Sequence, residues 1–165
     1  MEIKNKIFEG ERSLFSSIGL KIYDCIFQNG ESPLKESKDI YVKGSNVKWK
    51  YPLWYSNDVL VEESKLDVTA RSGIWYTHNI TINNTLIEAP KTFRRSSFIT
   101  LNNVNMPNAL ETMWNCKNIV LNDVSVAGDY FAFGSENIEA NNLVIDGNYS
   151  FDGGKNITIR NSKLI

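Results

Sequence analysis

The chain has 165 residues, 42% of them hydrophobic, enough apolar material for one compact domain with a core. Eighteen Lys and Arg against 19 Asp and Glu leave a formal charge of −1, which excludes both the basic face of a sequence-independent nucleic-acid grip and an acidic DNA mimic. No run approaches 18 apolar residues, MEIKNKIFEG lacks a signal-peptide core, two cysteines make no disulfide framework, and the single histidine, His78, excludes a His-rich metal site. The expectation is a cytoplasmic protein with no membrane or nucleic-acid partner, no cofactor and no metal. Asn is unusually frequent, at 20 residues. It tolerates left-handed backbone and bonds its own chain, so this sequence is expected to turn often.

Met1 to Gly10 offers only Ile3, Ile7 and Phe8 as a partial cap. From there the chain repeats. Units begin at Leu20, Ile40, Val59, Ile80, Ile99, Ile119, Ile138 and Ile157, spaced by 19 to 21 residues. Counting each start as position 0, position +2 holds Ile22, Val42, Val61, Ile82, Leu101, Leu121, Ala140 and Ile159. Position +7 runs from Phe27 to Leu164 and position −6 from Leu14 to Phe151, apolar in every unit. Apolar residues at 0 and +2, with outward residues between them as in Ile80-Thr81-Ile82-Asn83, have the period of a strand. Positions −1 and +4 carry mostly Asn, Asp and Gly and read as corners. Position −3 is small throughout, from Ser17 to Gly154, and reads as an inward residue beside a sharp bend.

Short strands in a coil of about 20 residues define an all-β fold, a parallel β-helix of about eight coils, each strand pairing with its equivalent in the next. Leucine-rich repeats are excluded because their Leu-x-x-Leu-x-Leu frame is missing. Pentapeptide repeats are set aside because the 19-to-21 spacing breaks a strict period of five. One domain is expected over residues 1–165, incomplete at its C-terminal end, where the last coil stops at Ile165 without a cap. Three consequences are expected as alternatives, continuation into a longer helix, end-to-end stacking with a copy, or fraying, and the first is favoured because the repeat shows no decay toward Ile165.

Segments such as Asn115-Cys116-Lys117-Asn118-Ile119-Val120-Leu121-Asn122-Asp123-Val124 resemble coils of the pectin-lyase-like superfamily, and more narrowly an uncharacterised bacterial family of such proteins. The resemblance covers about residues 12 to 165 and implies a right-handed parallel β-helix. It implies no activity. The Asn-Thr-Asp, Asp-Asp, Gly-His-Gly and Arg-Ile-Lys segments of polygalacturonases do not occur: Asn84-Thr85 is followed by Leu86, and His78 lies between Thr77 and Asn79. Asp39 and Asp58, one coil apart, read as corner caps rather than a calcium site. Ser97 is the best neighbour for His78, but no orienting carboxylate stands near it. Cys116 reads as a core filler, too far from Cys25 to bridge to it.

Position −5 reads Phe15, Lys35, Trp54, Trp75, Arg94, Trp114, Phe133 and Asp152. Its charged members argue that it faces solvent. With Tyr55, Tyr76 and Arg95 beside it, the candidate ligand-binding set is Trp54, Tyr55, Trp75, Tyr76, Arg94, Arg95, Trp114 and Phe133. A ladder of rings suits stacking on a polysaccharide or oligosaccharide, and equally suits structural stacking between strands or a protein interface. The leading functional expectation is a non-catalytic β-helix module that binds carbohydrate along this ladder. The alternatives are a polysaccharide lyase or glycoside hydrolase, and a structural or assembly protein.

Overall fold

The alternation of inward and outward residues along Ile80-Thr81-Ile82-Asn83, repeated at each coil, places every start beside its equivalent in the next. In the computed structural model, which describes residues 1–165, Ile80 pairs with Val59 on one side and Ile99 on the other. Fourteen strands form one sheet in which every pairing is parallel: β1 (Glu2–Lys4), β2 (Ile7–Glu9), β3 (Ile18–Tyr23), β4 (Ile26–Gln28), β5 (Lys38–Lys43), β6 (Asn46–Val47), β7 (Asn57–Glu62), β8 (Lys65–Leu66), β9 (His78–Ile87), β10 (Ser97–Met106), β11 (Lys117–Ala127), β12 (Glu136–Asp146), β13 (Lys155–Arg160) and β14 (Lys163–Leu164). There is no helix, and so none long and apolar enough to cross a membrane.

The sheet winds as a solenoid. One side stacks β1-β3-β5-β7-β9-β10-β11-β12-β13, which is nine rungs rather than eight. The extra rung is the N-terminal segment. Ile3 pairs with Ile22 and Phe8 with Phe27, so Met1 to Gly10 is a coil in register and not a cap. Phe8 stacks on Phe27 at 5.1 Å, whereas Ile7 is exposed. Eight steps at strand spacing give a rod of about 38 Å.

Positions 0, +2, +7 and −6 supply most of one continuous core, which runs from Leu20 to Ile145 with Ile3, Phe8, Leu14, Phe151, Ile157 and Ile159 packed partly against it. A further inward column, besides the small one at −3, stands at +5: Cys25, Ser45, Ser64, Thr85, Val104, Val124 and Leu143 are all buried. Inward pairs at 0/+2 and +5/+7 thus lie five residues apart. A period of five does hold on two adjoining sides, although the coil length varies; the variation arises on the other sides.

The corners have a common cause. Residues at −1 and +4 take positive φ in every coil, as do those at −4 and −8, and in the last four coils −6 joins them through Phe93, Met113, Ala132 and Phe151. In the coil of Ile99 these are Lys91, Phe93, Arg95, Phe98 and Asn103. Small inward hydroxyls stabilise the bends. The backbone N–H groups of Ser17, Ser37, Ser56 and Thr77 donate to the hydroxyls of Ser37, Ser56, Thr77 and Ser96 in the next coil. Ser56 and Thr77 donate in turn to the carbonyls of Leu34 and Leu53 in the coil before. Buried groups at the sharpest bends are thereby satisfied.

Candidate functional site

Parallel pairing at position −5 brings Trp75, Arg94 and Trp114 onto successive rungs, joined by single β-bridges. Trp54 and Trp75 stack with centroids 5.0 Å apart and planes 7° from parallel. The Arg94 guanidinium lies 4.5 Å from the Trp75 ring and 5.0 Å from the Trp114 ring, and Trp114 meets Phe133 at 5.0 Å. Tyr55 and Tyr76, at the −4 corner, form a second stack at 4.7 Å and 9°. Arg95 continues that corner column and is exposed. The eight residues therefore share one edge of the rod, in two adjacent columns.

The ladder is less open than its charged members implied. Trp54, Trp75, Arg94 and Trp114 are half-buried, while Tyr55 and Phe133 are exposed. Each indole N–H is used: Trp54 donates to the Ser72 carbonyl, Trp75 to that of Lys91 and Trp114 to that of Tyr130, each at the −8 corner of the following coil. Within the stack, ring faces meet other rings or Arg94, so the column offers mainly ring edges to the outside. The Arg94 Nε is buried without a partner.

Other titratable groups are dispersed. His78 Nδ1 lies 2.6 Å from Ser97 Oγ, the neighbour that the register assigns to it, on an exposed corner. Glu136, the carboxylate nearest in that column, pairs with Lys117 at 3.2 Å. Asp39 and Asp58 both sit at left-handed corners, and Asp58 accepts from Asn79 at 2.7 Å. Both cysteines are free and buried, and burial pushes the Cys116 thiol up to about 12. No three His, Cys, Asp or Glu side chains converge.

Sequence reasoning missed a polar ladder at +3. Asn83 donates to one Glu62 oxygen, Asn102 to Asn83, and Asn122 to Asn102, while Tyr41, at +1 of the coil before, reaches across to donate to the other Glu62 oxygen at 2.5 Å. Hydrogen bonding to Glu62 raises the Tyr41 hydroxyl to about 12, and the same bond, with that from Asn83, holds Glu62 below its usual range. The signal was present as Asn recurring at +3, outside any corner. Beside this ladder, shallow depressions run between the −1 ridge and the +1 column, one from Gly19 to Thr81 and one from Asn79 to Thr158, sharing Asn79.

Comparison with solved structures aligns the chain with those of the pentapeptide-repeat protein QnrB1, described as a plasmid-mediated fluoroquinolone resistance protein. One, treated with trypsin, matches at 13% identity over 97% of this chain and 91% of that one, with a TM-score of 0.44. The full-length form matches at 12% identity over 98% and 94%, with a TM-score of 0.41. The pectin-lyase-like resemblance of the coil motif is not supported by these alignments. No curated protein matches. A family model matches residues 1–165 throughout, and the chain belongs to that family, DUF3737, described as a protein of unknown function.

Proposed function

We propose that the protein is a non-catalytic β-solenoid module that binds an extended carbohydrate on its lateral surface. The supporting observation is the repetition itself. Planar rings, carboxamides and hydroxyls recur in fixed columns on rungs about 4.8 Å apart, a lattice of equivalent contacts suited to a polymer of repeating units. The edges of Tyr55, Tyr76 and Phe133, with the Arg95 guanidinium, supply polarisable and hydrogen-bonding groups along one border of that surface. Titration calorimetry with cellohexaose, chitohexaose and hexagalacturonate tests the reading: saturable binding without shortening of the oligomer is expected. Product release from any of the three would replace it with the lyase or hydrolase reading. Absence of binding to all three would favour the assembly reading.

A further inference from the structure

The −1 column turns a left-handed corner on every rung. Its occupants are Gly19, Asp39, Asp58, Asn79, Phe98, Asn118, Asn137 and Asn156, all with φ between 54° and 72°. Seven of the eight are residue types that accept this conformation readily. Phe98 is the exception, a bulky ring at φ 54°. The neighbouring coils impose the left-handed backbone here, as they do at Tyr55, Tyr76 and Arg95, but no contact within the protein accounts for placing an aromatic ring at this corner. Phe98 is 61% exposed and takes part in none of the aromatic or cation–π pairs of the molecule.

Phe98 also interrupts a hydrogen-bonded ladder. Asn79 donates its amide to Asp58 at 2.7 Å, Asn137 donates to Asn118 at 3.2 Å, and Asn156 donates to Asn137 at 3.1 Å. On the rung between Asn79 and Asn118 the ring offers neither donor nor acceptor. The Asn79 side-chain oxygen and the Asn118 amide therefore flank an apolar ring with no mate on its rung, about two strand spacings apart. The hydroxyls of Thr81 and Thr100, in the +1 column across the depression, make no hydrogen bond within the protein. The carboxylates of Asp58 and Glu139 stand toward the two ends of this stretch.

We infer that Phe98 is the stacking platform of a binding site for a neutral oligosaccharide, with Asn79, Asn118, Thr81 and Thr100 around it. This rests on the carbohydrate reading above and moves its centre from the tryptophan ladder to the −1 corner. A pyranose has an apolar C–H face and a rim of hydroxyls that both donate and accept, which matches an apolar ring set among an unused acceptor, an unused donor and two free hydroxyls. The flanking carboxylates disfavour a uronate polymer.

The discriminating variant is Phe98→Asn, which suits the left-handed corner and restores a continuous amide ladder from Asn79 to Asn118. Its melting temperature is expected to rise by about 2–4 °C, while affinity for cellohexaose or chitohexaose falls at least about tenfold. The Trp75→Ala/Trp114→Ala double variant, if folded, keeps that affinity, and hexagalacturonate binds the native chain more weakly than the neutral hexaoses. A Phe98→Asn protein that melts lower would make Phe98 a structural residue and overturn the inference. Unchanged affinity in Phe98→Asn with loss in the double variant would overturn it while leaving the carbohydrate reading standing. Failure of the native chain to bind either neutral hexaose would overturn both.

Discussion

At the scale of single residues, the chemistry concentrates where one column meets the next. Tyr41 and Glu62 are the clearest case, since one hydrogen bond at 2.5 Å moves both groups in opposite senses. Tyr41, raised to about 12 from an ordinary value of 10.0, keeps its proton in the folded chain after the unfolded chain has lost it. Its contribution to stability is therefore complete below about pH 10 and is lost as the pH rises toward about 12. Glu62, lowered, contributes above the ordinary carboxylate range and loses that contribution as the pH falls through its folded value. Melting curves of the native chain and Tyr41→Phe should accordingly converge between pH 10 and 12. The variant should be less stable at pH 7 by about 1 kcal/mol, the usual net worth of such a bond. A constant difference across that alkaline window would show that the bond does not control the titration of Tyr41.

At the scale of the element, the unit of stability is the column rather than the strand. Thr77 illustrates it: its hydroxyl accepts from the Ser56 N–H and contacts the carbonyls of Leu53, in the coil before, and Trp75, in its own, so it ties two rungs together. Thr77→Val keeps the shape and leaves the Ser56 N–H buried without an acceptor. The expected cost is about 1–3 kcal/mol in chemical denaturation, whereas Thr81→Val, on the outer face of the same coil, should change stability by less than about 0.5 kcal/mol. Equal effects would mean that the inward hydroxyl column is a passive filler. The columns that read clearly from the chain were those whose side chains never change character, such as Ile80 and Ile82 with their equivalents. The +5 column escaped notice because it shifts from Ser and Thr in early coils to Val124 and Leu143 in late ones. The −4 and −8 corners escaped because Tyr, Arg, Lys and Glu occupy them. There the left-handed backbone is imposed by neighbouring coils, as when the Tyr55, Tyr76 and Arg95 N–H groups donate to the Trp75, Arg94 and Trp114 carbonyls. Membership of the aromatic ladder could be read from one column, but the direction of its ring faces could not. Whether rings stack on each other or face outward depends on side-chain angles that spacing leaves open.

At the scale of the whole molecule, the repeat makes stability a sum of nearest-neighbour terms along the rod, and the two ends are where that sum is incomplete. The start was misread because Met1 to Gly10 supplies only about half a coil, with Ile3, Phe8 and the Asn5 corner in register, a short run to recognise before the repeat is established. At the other end, Ile157 and Ile159 are only partly buried, Leu164 is 54% exposed and Ile165 is 64% exposed. The outer edges of β13 and β14 have no strand beyond them, and β1 and β2 present the opposite edge in the same parallel sense. Head-to-tail contact between two copies would continue both hydrogen-bonded ladders and cover the apolar side chains. Such a contact is heterologous and does not close, so it builds open chains rather than a defined dimer. A polypeptide of these 165 residues is therefore expected to sediment with a weight-average mass that grows across a hundredfold range of concentration. Ile159→Lys with Leu164→Lys, placing charge on the C-terminal edge alone, should hold it at the monomer while the melting curve stays cooperative. A monomer at all concentrations in the unmodified chain would show that strand edges at the ends of the rod do not recruit one another, and would remove the assembly reading.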